Sequence, residues 1–196
     1  MRRAEDTDRA LVVDILVKSF HDNKSVNHVV KQDRHKAKRM KALMEYSFDL
    51  CLSFGEIWIG DGNTGCALIL YPREKKQTLR SILLDIKVAI FAIGLLRVAS
   101  IAKREQAIKG HHPKGDITYL WFIGVDPKYQ HQGIGSTLLL NVIDRSKMAQ
   151  RPIYLETSSL KNVAWYNSFG FEVFEMLEFS YTLFLFRRTG YRTGSI

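Results

Sequence analysis

The run Ile123-Gly-Val-Asp-Pro-Lys-Tyr-Gln-His-Gln-Gly-Ile-Gly-Ser136 carries the most chemistry in this chain of 196 residues. It places Gly133 and Gly135 between a β-branched, aromatic stretch and a helical pattern. The first turn of a helix holds free N–H groups, and the helix dipole favours negative charge there. Glycines have no side chain, so a phosphate can come close to such a backbone. The chemistry to expect is capture of a phosphate or pyrophosphate. The run is not a Walker loop, because no Gly-Lys-Ser/Thr follows at the required spacing. It is not a dinucleotide fingerprint either, because the third glycine is missing. A tight turn without a ligand would need only the same two glycines.

Downstream of this run stand Glu156 and Tyr166. Glu156 offers a carboxylate at a strand end, and Tyr166 a phenol with an ordinary pKa near 10. Its neighbours Trp165 and Phe169 also fit Tyr166 to an aromatic core. His111 and His112 precede a strand and read as solvated loop residues, since two adjacent histidines make a poor metal site. No cluster of His, Cys, Asp and Glu suggests a metal. The 2 Cys, Cys51 and Cys66, exclude a disulfide framework and a four-Cys zinc cluster.

Hydrophobic residues make up 46% and charged residues 25%, the range of an ordinary globular domain with a sizeable core. The net charge is +9, from 29 Lys+Arg against 20 Asp+Glu, which implies an anionic partner. Six cations fall between Lys31 and Lys41 against Asp33 alone. At helical spacing that run reads as a solvated face. It lacks the interleaved aromatics of a nucleic-acid binder, so nucleic acid is not an expected partner. The longest uncharged apolar stretch, Val88 to Leu96, is far too short to span a bilayer, which takes about 20 residues. The charged N-terminus MRRAEDTDRA has no secretory pattern. No membrane partner is expected, and the expected location is the cytoplasm.

The elements that must position these residues are legible in the periodicity. Leu11, Val12, Ile15, Leu16 and Phe20 mark a first helix, with Asp6 and Thr7 as caps. Met40, Leu43, Met44, Phe48 and Cys51 mark a second over 34–52, stopped by Gly55. Strands are expected over 56–60 and 66–71, joined by Asp61-Gly62-Asn63. Residues 77–103 form one bent helix or two short ones, and 110–115 a loop. A buried strand follows over 117–125, where Gly124 hints at a bulge or a close backbone approach. Then come a helix over 133–148, a strand over 153–156 and a helix over 161–169 with Gly170 as its C-terminal glycine. Strands over 171–176 and 179–186 close an α/β chain, and 187–196 is a basic tail.

Gln130-x-x-Gly133-x-Gly135, after Val125-Asp126-Pro127, resembles the acetyl-CoA signature of the GNAT N-acetyltransferase superfamily, whose first position is Arg or Gln. Ile153-Tyr-Leu-Glu-Thr157, Asn162, Tyr166 and Gly170-Phe171-Glu172 resemble that family's next strand, helix and closing turn. The element order is similar from Met1 to Phe186. The resemblance implies one domain over 1–186 and a mixed, mostly antiparallel sheet flanked by helices, with the helical insert (about 77–103, within 73–115) between strands. It implies that the backbone of Gln130, His131, Gln132, Gly133, Ile134, Gly135 and Ser136 cradles the CoA pyrophosphate. Ile123 and Val125 would pair with the pantetheine arm as an added strand does. Asn162 would bond the same arm, and Tyr166 would sit near the thioester sulfur as general acid.

Acetyl transfer from a thioester to an amine needs a neutral amine, a donor for the oxyanion and a proton for the leaving thiolate. An amine of pKa ~10.4 is neutral about once in two thousand molecules at pH 7, a handicap of about 4–5 kcal/mol that a base or desolvation must offset. Many members of the family carry a Glu where this chain has Tyr119, so Glu156 becomes the candidate base. The Val125 N–H is a candidate oxyanion donor. The insert would roof the acceptor site, or else extend the core or form a homodimer face. The expected activity is acetyl-CoA-dependent N-acetylation of a small-molecule amine. Acetylation of a protein Lys or N-terminus is the alternative, and a non-catalytic acyl-CoA sensor the next.

Overall fold

The computed structural model describes residues 1–189. Strand β1 (Arg2–Arg3) leads into α1 (Arg9–Ser19), α2 (Lys24–Val29) and α3 (Lys36–Phe54). A hairpin follows, β2 (Gly55–Ile59) and β3 (Gly65–Leu70). The insert comprises α4 (Leu79–Val88), a wide π turn over Ala89–Ile93 and α5 (Val98–Gly110). The chain then runs through β4 (Thr118–Val125), α6 (Ile134–Met148), β5 (Ile153–Thr157), α7 (Leu160–Ser168), β6 (Glu172–Glu178) and β7 (Thr182–Arg188).

The seven strands form one sheet in the order β1-β2-β3-β4-β5-β7-β6. Every pairing is antiparallel except that of β4 with β5. That parallel pair matches only Thr118 with Ile153 and Tyr119 with Tyr154, after which the two strands part. Each face of the sheet has its own core. Val12, Leu16, Met44, Phe48 and Phe122 gather on the face covered by α1 and α3. Leu120, Leu138, Leu139, Val142, Tyr166 and Phe186 gather on the face covered by α6 and α7.

Several details differ from the sequence expectation. The one-turn-and-a-half helix α2 has no strong apolar period. It buries only Val26 and is held by the Asn23 side chain, which accepts the Val26 N–H at 3.0 Å. The β-bulge lies at Trp121, not Gly124: Leu68 pairs with Phe122 and Ile69 with Leu120, leaving Trp121 over. At Gly124 the other reading holds, since a Cβ there would sit 3.0 Å from Ser19 Oγ on α1. Gly94, at φ +84°, divides the insert into two helical pieces, and α5 continues to Gly110. Strand β7 includes Arg187 and Arg188, which the sequence assigned to the tail. Of that tail, 190–196 lie outside the described residues.

Cys51 and Cys66 are buried free thiols, and burial pushes both above their ordinary pKa. An unfolded chain begins to release thiol protons near pH ~8.5, while the folded chain keeps them. This contribution to stability is therefore complete below about pH 8.5 and declines as pH rises toward the folded-state value. Thermal unfolding between pH 8 and 10 should show Tm falling in the wild type. The fall should be shallower in Cys51→Ala/Cys66→Ala. An equal slope in both would take the thiols out of this role.

Candidate active site

The parting of β4 and β5 decides which backbone groups are available. Asp126 N–H donates to Thr64 O at 2.8 Å, which fixes the phase of the β3–β4 ladder. Antiparallel pairs alternate between bonded and non-bonded, so Gly124 and Phe122 face β3. Ile123 and Val125 turn their N–H and C=O the other way, into the gap that opens toward β5. Val125 O accepts Ser19 Oγ at 2.8 Å and Gln130 Nε2 at 3.1 Å, which steadies the rim of the gap.

The glycine loop closes one end of this gap. His131 (φ +63°) and Gly133 (φ +80°) both take left-handed backbone, a geometry that turns successive N–H groups toward a common point. Helix α6 begins at Ile134, and its first ladder bond is Thr137 N–H to Gly133 O at 2.9 Å. The N–H groups of Ile134, Gly135 and Ser136 have no partner within the helix. Gln130, His131, Gln132 and Gly133 are exposed. Trp165 Nε1 donates to Ser136 Oγ at 3.4 Å, bringing α7 against the start of α6. Asn162 lies half-buried on the first turn of α7.

On the opposite face of the sheet, a cavity of ≈ 390 Å³ meets the same gap. Phe20, Tyr46, Trp121 and Phe122 give it an aromatic wall, and Val88, Ile93, Ile101 and Ile108 of the insert roof it. Glu156 reaches this cavity from β5. Tyr119 OH donates to Glu156 Oε2 at 2.7 Å, and His112 Nε2 lies 3.1 Å from Glu156 Oε1. The His112 and Glu156 side chains are each 10% exposed. Each Glu156 oxygen thus has its own partner, the Tyr119 hydroxyl on one and the His112 ring on the other. Burial first, and then the Glu156 charge, raise the Tyr119 phenol well above its ordinary value.

His112 was expected in a solvated loop, and the structure instead packs it against Tyr119 and Tyr154 at ring distances of 5.1 and 5.7 Å. His111 keeps the expected exposed position, 3.7 Å from Glu175. The signal for the network was the hydroxyl at Tyr119, a donor where the resembling family offers a carboxylate. Tyr166 does not line the cavity. It is 4% exposed and packs on Trp165, Phe171 and Phe186 at 4.8, 5.7 and 5.4 Å. Burial raises its phenol pKa, and the Glu156 charge adds to the shift. Among the described residues, no group of three or more His, Cys, Asp or Glu is placed to hold a metal.

Residues 92–173, which run from the insert through the start of β6, match the family model described as acetyltransferase (GNAT) domain. A histone acetyltransferase HPA2-related protein of Corynebacterium glutamicum has a similar structure at TM-score 0.69 and 20% identity, covering 95% of this chain and 93% of that one. The C-terminal condensation domain of Ebony, in complex with beta-alanyl-dopamine, is similar at TM-score 0.70 and 14% identity, covering 95% and 96%. A mosquito arylalkylamine N-acetyltransferase-like protein is similar at TM-score 0.53 and 14% identity, covering 95% and 97%. In sequence, a probable serine/threonine-protein kinase of Dictyostelium discoideum is 30% identical over 69 residues, or 35% of this chain. The match spans only 7% of that kinase's length. The matched segment contains the glycine loop and both strands of the gap, and the fold agrees over nearly the whole chain. On those grounds residues 92–173 are similar to the acetyltransferase (GNAT) domain, and the chain shares the fold of these solved structures.

Proposed function

We propose that this protein is an acetyl-CoA-dependent N-acetyltransferase whose acceptor is a small primary amine with an apolar, aromatic body. The observation that carries the reading is Glu156. It stands where the strand gap meets the aromatic cavity, with Tyr119 and His112 on its two oxygens. A cavity of ≈ 390 Å³ under an insert suits a small molecule better than a protein Lys or N-terminus. The Ebony domain's beta-alanyl-dopamine and the arylalkylamine in the mosquito protein's name lend support at the level of fold.

Residues 130–136 would bind the pyrophosphate through backbone N–H groups. Ile123 and Val125 would pair with the pantetheine arm, and the Asn162 side chain would bond it. Bound acetyl-CoA supplies the acetyl group as an activated thioester. Glu156 takes a proton from the acceptor ammonium, which frees the neutral amine to attack, and His112 passes that proton toward solvent. Trp121 and Phe122 exclude water from the amine. The Val125 N–H, turned into the gap, donates to the developing oxyanion. The buried Tyr166 hydroxyl stays protonated across the working pH range and donates to the departing sulfur.

Calorimetry with acetyl-CoA, and ADP as control, tests the cofactor site. In Gly135→Asp a Cβ meets only ordinary contacts, 3.7 Å to Trp165 and Val125, so the fold should persist. A carboxylate aimed at the pyrophosphate should abolish acetyl-CoA binding; binding retained in the folded variant would sink the phosphate-loop role. Thiol release with a series of arylalkylamines tests the acceptor. Glu156→Gln should lower kcat by about a hundredfold or more while leaving acetyl-CoA affinity in place. Tight binding with no turnover on any amine would favour a sensor instead. Tyr166→Phe should lower turnover far more than affinity, and unchanged turnover would remove it as the acid.

A further inference from the structure

We propose that the outer face of the insert seats the protein on an anionic lipid surface. A helix of a water-facing domain ordinarily turns one stripe to the core and polar residues outward. Helix α4 already has its core stripe, with Ser81, Leu84 and Val88 buried. Its other side is also apolar: Leu79, Ile82, Leu83 and Ile86 are exposed, and Ile90, Phe91, Leu95 and Leu96 continue the ridge. Leu79 is 83%, Leu95 70% and Leu96 102% exposed, so these side chains project rather than lie flat. A patch of this kind marks a place where something other than water is met.

The charge around the ridge indicates what that is. The insert, residues 73–115, holds ten Lys/Arg against three Asp/Glu, and residues 31–41 hold six against one. The remaining chain has 13 Lys/Arg and 16 Asp/Glu, so these two segments carry all of the positive excess. The structure brings them together at the ridge. Lys31 N–H donates to Ala92 O at 3.0 Å, and Arg39 Nη1 donates to Phe91 O at 3.2 Å. Apolar side chains that project from a basic collar are the features of an interfacial amphipathic segment. A second copy of this chain would bring the same cations face to face across a two-fold contact, which charge opposes. No helix among the described residues is long and apolar enough to cross a membrane, so the contact is with the surface. This proposal does not depend on the acceptor reading: lipid binding and catalysis are read separately.

Cosedimentation of the full chain with vesicles of equal parts phosphatidylserine and phosphatidylcholine tests it, with pure phosphatidylcholine as control. Binding should require the phosphatidylserine and weaken with added salt. Leu95→Asp/Leu96→Asp should reduce vesicle binding about tenfold or more, with unchanged Tm and unchanged turnover of a soluble amine. Arg80→Ala/Lys87→Ala should weaken binding more at low salt than at high salt. No binding to the anionic vesicles at low salt would overturn the proposal, and so would binding that the Leu95/Leu96 variant leaves intact. A dimer seen by light scattering that the same variant dissociates would assign the ridge to a second copy and overturn it equally.

Discussion

Two neighbouring parallel strands that stop pairing after two residues set up everything else in this molecule. A strand edge inside a protein is costly, because its N–H and C=O groups need partners. Here the edge of β4 from Trp121 onward faces a gap rather than β5. The bulge at Trp121 turns the strand away and places Trp121 and Phe122 on the same side, toward the cavity. The start of α6 covers one end of the gap, and the Trp165–Ser136 contact ties α7 to it. Two faces of one sheet thereby meet at one opening, with the glycine loop on one side and a carboxylate in an aromatic cavity on the other.

That geometry explains how the carboxylate can stand on β5. Tyr119 is the last β4 residue still paired with β5, so its hydroxyl can reach Glu156 two residues further along. A donor on one strand and an acceptor on the next thus form one hydrogen-bonded pair across the parting strands. His112, at the end of the insert, adds a contact that only the tertiary fold supplies. The insert therefore contributes to the roof of the cavity and, through the turn after α5, to the polar network beneath it.

The parts legible in the sequence were those written in local geometry. The glycine loop, the α6 start and the strand-to-helix blocks around Glu156 and Tyr166 need only backbone rules acting over a few residues. The helix α2 was not legible because a six-residue helix with one buried side chain has no period to detect. The bulge depends on β3 register, and the burial of His112 depends on Tyr119 and Tyr154 arriving from two distant strands. Tyr166 satisfied two readings in the sequence, core aromatic and acid, and its packing on three rings shows the first of them.

The insert shows why amphipathic patterning alone under-reads a helix. Hydrophobic residues on both sides of α4 look like core in one dimension. In three dimensions one side closes on α3 and the other does not. Burying the inner side stabilises the roof whatever the outer side meets, so cavity and ridge can change independently. Substitutions on the outer ridge leave Val88, Ile93, Ile101 and Ile108 where they are, and the cavity they roof with them. A helix with a settled inner face and an unsettled outer one thus lets the surface vary without altering the cavity beneath it.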